Sequence, residues 1–166
     1  MIKLPVPTTS EHLKTQDSTR GRIIEDIGLF QAEYALTMRQ RNILLALTNF
    51  YDIENIMTIL IPVLTQKSAV SLRAIDWLVT NYSKKKNIVL NNKDRLFNIH
   101  NEYKSALSYY RRRNFDPFRR RLRLSFVVND GYYQTTVGQL NFIHWAYKNG
   151  ILCFAGECID DIEKDM

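Results

Sequence analysis

Glycine is scarce in this chain, and its distribution removes a class of function at once. Six glycines are present, and the closest pair, Gly150 and Gly156, is separated by the apolar, strand-like segment ILCFA. No glycine-rich loop is therefore available to cradle a nucleotide phosphate. Histidine and cysteine are scarcer still, at three and two. There is no HExxH and no serine elbow. Cys153, Cys158 and His144 offer zinc three ligands at unusual spacing with no clear fourth, and nothing in the spacing pairs either cysteine with His100 or His144 as nucleophile and base. No catalytic residue, metal site or cofactor is expected. Two cysteines are also too few for a disulfide scaffold, so a reducing compartment is the simpler reading. Long apolar runs are missing as well. The longest, Ile56 to Leu64, is interrupted by Thr58 and Pro62 and falls short of the roughly 20 residues that span a bilayer. The first residues, MIKLPVPTTSEHLKTQDSTR, lack the continuous apolar core of a signal peptide. The expectation is an intracellular protein without a membrane span.

What is present is enough apolar material for one core and a basic charge gathered in one place. The 166 residues are 45% hydrophobic and 11% aromatic, which suits one domain of ordinary size. Lys and Arg outnumber Asp and Glu by 23 to 17. Thirteen of those cations lie between Lys84 and Arg123 against three acids there, so that segment carries +10 and the remainder −4. An asymmetry of that size favours nucleic acid, an anionic membrane surface or an acidic protein partner.

Taken in order, residues 1–19 read as an extended N-terminal arm with Pro5 and Pro7, residues 20–156 as a single α+β domain, and 157–166 as an acidic C-terminal segment, either a short helix or a tail. From Arg20 the spacing of Ile23, Ile27, Phe30, Tyr34 and Met38 predicts one face of a helix, extended by Leu44, Leu45 and Leu47. A second helix over 53–64 is apolar nearly all round, with Pro62 placed to kink or end it. A third, over 71–85, has Ser68 or Ser71 for an N-cap, a buried stripe of Leu72, Ile75, Leu78, Val79 and Tyr82, and Trp77 on its flank. Lys84, Lys85 and Lys86 close it, where positive charge complements the helix dipole by about 0.3–1 kcal/mol per residue. Residues 87–90 form a short strand before an Asn-Asn turn. A fourth helix over 93–112 buries Leu96, Ile99, Tyr103, Leu107 and Tyr110. The hairpin 119–137 turns at Asn129-Asp130-Gly131, with Asp-Gly as its turn signal. A fifth helix over 138–149 ends at Gly150 as its C′ residue, and 151–154 adds a third strand. The fold class is thus α+β, mainly helical, with a small antiparallel sheet near the C-terminus.

The rest is organised around YYRRRNFDPFRRRLRLSFVV, residues 109–128. Two arginine runs flank an aromatic turn, and alternation from Arg121 puts Arg121, Arg123 and Ser125 on one face with Leu122, Leu124, Phe126 and Val128 on the other. Guanidinium groups match phosphate bidentately. The phosphate-binding candidates are therefore Arg111, Arg112, Arg113, Arg119, Arg120, Arg121 and Arg123, with Lys84, Lys85 and Lys86 outlying. Tyr109 and Tyr110 are candidates for base stacking; Phe115 and Phe118 could stack too, though core is the favoured reading for those two. Six phosphates neutralised on duplex DNA would give a log–log salt slope of about −5. The alternative is a structural or assembly protein, such as a virion component, whose basic face meets an acidic partner or a second copy, with Glu157–Asp165 as the neighbour's ligand.

Three segments carry a resemblance: SLRAIDWLVTNYSKKKN (71–87), FDPFRRR (115–121) and TTVGQLNFIHWAYKNGIL (135–152). They resemble an uncharacterised protein family of nucleocytoplasmic large DNA viruses, of the iridovirus, phycodnavirus and mimivirus groups. The resemblance implies a viral protein made in an infected cell, in host cytoplasm or virion. It supplies no catalytic residues, and it leaves residues 1–70 outside the part it covers.

Overall fold

A computed structural model describes residues 24–166. The predicted arm 1–19 lies outside the described residues. The first of them overturn the predicted helix from Arg20: strands β1 (Glu25–Ile27) and β2 (Phe30–Ala32) form an antiparallel hairpin. Gly28, at φ 61°, takes the first central position of its two-residue turn, where glycine costs no steric strain. Such a turn makes Ile27 and Phe30 cross-strand partners, so an i, i+3 spacing that imitates a helix face arises from a hairpin instead. Helix α1 (Met38–Thr48) starts only after a capping box in which Thr37 and Gln40 satisfy each other's amides. Met38, placed on the buried face by the sequence pattern, is 72% exposed.

Helix α2 (Ile53–Leu64) is capped by Asp52, whose carboxylate accepts the Asn55 amide at 2.8 Å. Pro62 does not end it. The backbone widens into a π-type turn over Ile56–Leu60 just before the proline, which accommodates the hydrogen bond that proline cannot donate. Nor is α2 buried all round, since Ile56 and Leu60 are enclosed while Ile53 and Met57 face out. Helix α3 covers residues 72–86, with Ser71 as N-cap and a second π-type turn at Leu78–Tyr82. Asn87 ends it in the left-handed conformation.

A second hairpin follows, β3 (Val89–Asn92) with β4 (Arg95–Asn98). Its turn is Lys93-Asp94, both at positive φ. The predicted Asn-Asn turn is therefore strand, and the helix predicted from Lys93 begins at Ile99: α4 spans Ile99–Tyr110, capped by Asn98. Strands β5 (Leu124–Val128) and β6 (Gly131–Thr135) make the anticipated hairpin with shorter arms. Its two turn residues are Asn129 and Asp130, both at positive φ, and Gly131 is the first residue of β6 rather than part of the turn. Helix α5 (Val137–Lys148) ends near Gly150 at φ 72°. The strand predicted over 151–154 is helix α6 (Ile151–Glu157), because the Phe154 amide closes a turn onto the Gly150 carbonyl at 3.1 Å. The acidic end is helix α7 (Ile159–Asp165), anchored by fully buried Ile162.

Strands β1, β2, β5 and β6 form one antiparallel sheet in that order. Ile27, Phe30, Ala32, Leu124 and Phe126 line its inner face against α1 and α2. A second cluster lies among α3, α4, α6 and α7. Helix α5 serves both, giving Val137, Leu140 and Ile143 to the first and Phe142, Trp145 and Ala146 to the second. The fold is α+β, mainly helical, as the composition and patterning predict. Among the described residues no single helix is long and apolar enough to cross a membrane. Helices α1 and α2 reach that apolar content only together, meet at 95°, and bury Leu44, Leu47, Ile56 and Leu60 in the core.

Candidate nucleic-acid interface

The chain between α4 and β5 is built as two pinned turns. Arg111 leaves α4 at φ 69° and ψ 149°, a region that is almost reserved for glycine. A single 3-10 turn, Arg112–Asn114, then delivers Phe115 to the core, where it is fully buried. Its ring stacks on Tyr110 at 5.5 Å and meets Trp145 edge-on at 5.3 Å. The second turn begins at Asp116, whose side chain accepts the Phe118 amide at 2.9 Å while its carbonyl accepts that of Arg119. Gln139 on α5 donates to the Pro117 carbonyl at 3.0 Å. The turn is thus fixed to the start of α5.

From Arg119 to Arg123 the predicted alternating strand is absent. These residues form a loop, and β5 starts at Leu124. Leu122 sits at φ 57°, outside the extended region, so the two-faced ribbon cannot continue through it. The Tyr34 hydroxyl donates to the Leu122 carbonyl at 2.7 Å and holds the loop against the β2 side of the sheet. Burial pushes the Tyr34 phenol up to about 12, the Arg119 charge pulling the other way.

This geometry gathers some of the predicted arginines and disperses others. Arg119, Arg120 and Arg123 line a cleft of about 490 Å³, together with Arg73, which the sequence analysis did not single out. Val63, Leu64, Leu72 and Phe118 give it apolar lining and Gln134, Thr135, Thr136 and Gln139 polar lining, with no carboxylate among the described lining residues. Arg123 is held by neutral acceptors, its Nε donating to the Arg120 carbonyl at 3.0 Å and Nη1 to Gln134 Oε1 at 2.8 Å. These bonds fix its orientation, and among the described residues no carboxylate forms a salt bridge with it. Helices α3 and α5 both begin at this cleft, capped by Ser71 and Thr136, and neither has an acid in its first turn. Their dipoles add to the positive field. Arg73 lies in the first turn of α3, where a cation opposes the dipole. That misplacement was the sequence signal for it.

The other candidates lie elsewhere. Arg111, Arg112 and Arg113 are exposed on the first turn, outside the cleft lining. Arg112 lies within electrostatic reach of Asp76, whose carboxyl is raised by burial and by Asp116 while Arg112 draws it down. Arg121 is exposed and likewise outside the lining. Lys84, Lys85 and Lys86 occupy the far end of α3, about 16–20 Å from Arg73 at 1.5 Å per residue. There Lys85 pairs with Asp165 at 3.0 Å and lies over the Trp77 ring. Lys86 shares a small hollow with Asp161, Lys164 and Asp165. Tyr109 is 69% exposed but carries Arg39 over its ring, and Tyr110 is stacked on Phe115. Both border a different groove, between α1, α4 and α5. Phe115 is core as expected, whereas Phe118, also read as core, stands half-exposed at the arginine cleft. Among the described residues no group of three metal-ligating side chains converges. His144 packs on Phe50 at 4.6 Å, its proton affinity lowered by burial and by Lys148.

Comparison with known proteins places this geometry in a family. Residues 26–166 match a family of unknown function, DUF7197. The chain is 37% identical over 125 residues to an uncharacterized protein of Acanthamoeba polyphaga mimivirus, a match covering 69% of this chain and 48% of that relative. The chain therefore spans about half the length of the curated relative it matches. The family match begins well before the segments 71–152 that carried the resemblance, so β1, β2, α1 and α2 belong to the shared unit. No solved structure matches.

Proposed function

Since the chain belongs to the family of unknown function DUF7197 and is related to a protein of a large DNA virus, we propose that it is a non-enzymatic nucleic-acid-binding viral protein that grips backbone phosphates in its arginine cleft. The observation that supports this reading is the convergence of four arginines, Arg73, Arg119, Arg120 and Arg123, on one concavity with no carboxylate among its described lining residues. Phosphate is the anion whose geometry a guanidinium fork matches twice over. Such contacts position the ligand without reading its sequence. The protein would act in the host cytoplasm or the virion, wherever the nucleic acid is handled. The assembly reading, in which residues 157–166 serve a neighbouring copy, is weakened by Asp165, which already answers Lys85 and Trp77 in its own chain.

Fluorescence anisotropy on labelled single- and double-stranded oligonucleotides over a range of salt tests the proposal. Two to three phosphates neutralised by the four arginines on a single strand give a log–log slope of about −2. The variant Arg119→Ser/Arg120→Ser/Arg123→Ser should flatten it to about −1, while Arg111→Ser/Arg112→Ser/Arg113→Ser retains most of it. Absent or salt-insensitive binding by the wild type would overturn the reading in favour of a protein partner for the basic face. A larger loss from the 111–113 variant than from the cleft variant would also overturn the cleft assignment.

A further inference from the structure

The arginine cleft has an apolar half that phosphate contacts alone do not need. Phe118 is 48% exposed at its edge, next to Arg119 and Arg120, and Val63, Leu64 and Leu72 continue the wall. The ring is not there for want of a core position, because Phe115, three residues earlier, carries this segment's burial at 0% exposure. The backbone that carries it is held from both sides, by the Asp116 side chain on the Phe118 amide and by Gln139 on the Pro117 carbonyl. An exposed aromatic ring on a pinned turn, beside guanidinium groups with no carboxylate among the described lining residues, is the pairing that recognises a base and its phosphate together.

We infer that the cleft takes an unpaired segment of single-stranded nucleic acid, with Phe118 stacking on a base while Arg73, Arg119, Arg120 and Arg123 hold the flanking phosphates. This rests on the nucleic-acid reading above and narrows it. At about 490 Å³ the cleft is in the size range of small-ligand sites, about 300–1,000 Å³, enough for one or two nucleotides. A duplex presents its phosphates on a convex outer surface and keeps its bases stacked inside. It cannot offer a base face to Phe118 and phosphates to the arginines in the same concavity. Stacking on an aromatic ring tolerates any base, so the cleft selects for strandedness rather than sequence. DNA and RNA strands share this chemistry, and the sugar is a separate question that the experiment addresses.

The test uses the full chain with short labelled oligo(dT), oligo(U) and a duplex of equal length, at near-physiological salt. Either strand should bind about tenfold or more tightly than the duplex, as the loss of base stacking implies. Phe118→Leu should weaken strand binding roughly five- to 150-fold with the salt slope unchanged, because no charge is removed. Phe118→Trp should keep the affinity and lose indole emission on binding. A half-exposed ring can be replaced without emptying the core, and circular dichroism of both variants confirms the fold. Unchanged strand affinity in Phe118→Leu, or a duplex bound as tightly as the strands, would overturn this inference. If Arg119→Ser/Arg120→Ser/Arg123→Ser still abolished binding in that case, the phosphate cleft would stand without the stacking. If that arginine variant bound like wild type, the cleft reading itself would fall.

Discussion

Gly138 is the residue at which substitution by alanine best tests how the arginine turns are mounted. It is the second residue of α5, and a Cβ built there would lie 3.1 Å from the Arg113 carbonyl oxygen, 3.1 Å from the Asp116 nitrogen and 3.2 Å from the Asp116 carbonyl oxygen. All three are backbone atoms, and the segment cannot retreat. Phe115 is locked among Tyr110, Phe142 and Trp145, and Asn141 holds the Asn114 carbonyl at 2.9 Å. Overpacking of this kind costs about 1–3 kcal/mol, against a helix-propensity gain of at most about 1 kcal/mol. The expected net loss of about 1–2 kcal/mol lowers Tm by about 2–8 °C for a chain of this size. Gly156 in α6 provides the control. Its added Cβ meets only Val70 Cγ2, at 3.8 Å, so Gly156→Ala should gain about 0.5–1 kcal/mol and raise Tm by about 1–4 °C. Thermal unfolding followed by circular dichroism reads both. A Gly138→Ala Tm equal to or above wild type, with Gly156→Ala raised, would refute the packing of the 113–116 turn on α5.

Two further substitutions probe the segments on either side. The Asp165 carboxyl is held below its ordinary range by the Trp77 indole, which donates to it at 2.8 Å, and by Lys85. Its contribution is complete above an ordinary carboxylate pKa of about 4 and is lost as pH falls through the lower folded value; the stability gap between wild type and Asp165→Ala should therefore close on acidification below about pH 4, with a matching change in Trp77 emission. Tyr34→Phe frees the Leu122 carbonyl and should cost about 0.5–1.5 kcal/mol, with faster amide exchange across 119–123. Because the folded Tyr34 phenol titrates at about 12 and an unfolded one near 10, wild-type stability from this group should decline as pH rises from about 10 to 12, a decline that Tyr34→Phe lacks.

The C-terminal hairpin was legible because its strands alternate and its turn residues, Asn and Asp, tolerate positive φ. The helix over 53–64 was legible as a nearly continuous apolar stretch, and those predicted over 71–85 and 138–149 from periodicity together with a cap, Ser71 for one and Gly150 for the other. The N-terminal hairpin was not, because Ile27 and Phe30 face each other across two residues and so share the i, i+3 spacing of a helix. β4 was hidden because Leu96 stands three residues before Ile99 and so continues the stripe of the helix that follows, although it is 72% exposed. The strand predicted through Arg119 failed at Leu122, whose positive φ is set by tertiary contact with Tyr34 and leaves no mark in the local pattern. Of the site, the second arginine run was visible as composition. Its convergence with Arg73, some 46 positions earlier, depends on α3 and α5 both starting at the cleft and could be suspected only from a cation misplaced in a helix's first turn. Phe118 was misread because an aromatic in a turn is more often buried than displayed.

The sheet order carries a consequence for synthesis. Strand β2 finds its partner β5 about ninety residues further along the chain, Gln31 opposite Ser125. At ribosomal rates of about 5–20 residues per second, the first hairpin leaves the exit tunnel roughly 5–20 s before the strand that covers it. During that interval α1 and α2 are already available to the apolar face of Ile27, Phe30 and Ala32, but the exposed side of β2 presents an unpaired edge. A nascent chain in this state is a natural client for chaperones, and truncation anywhere before Leu124 leaves the hairpin permanently open.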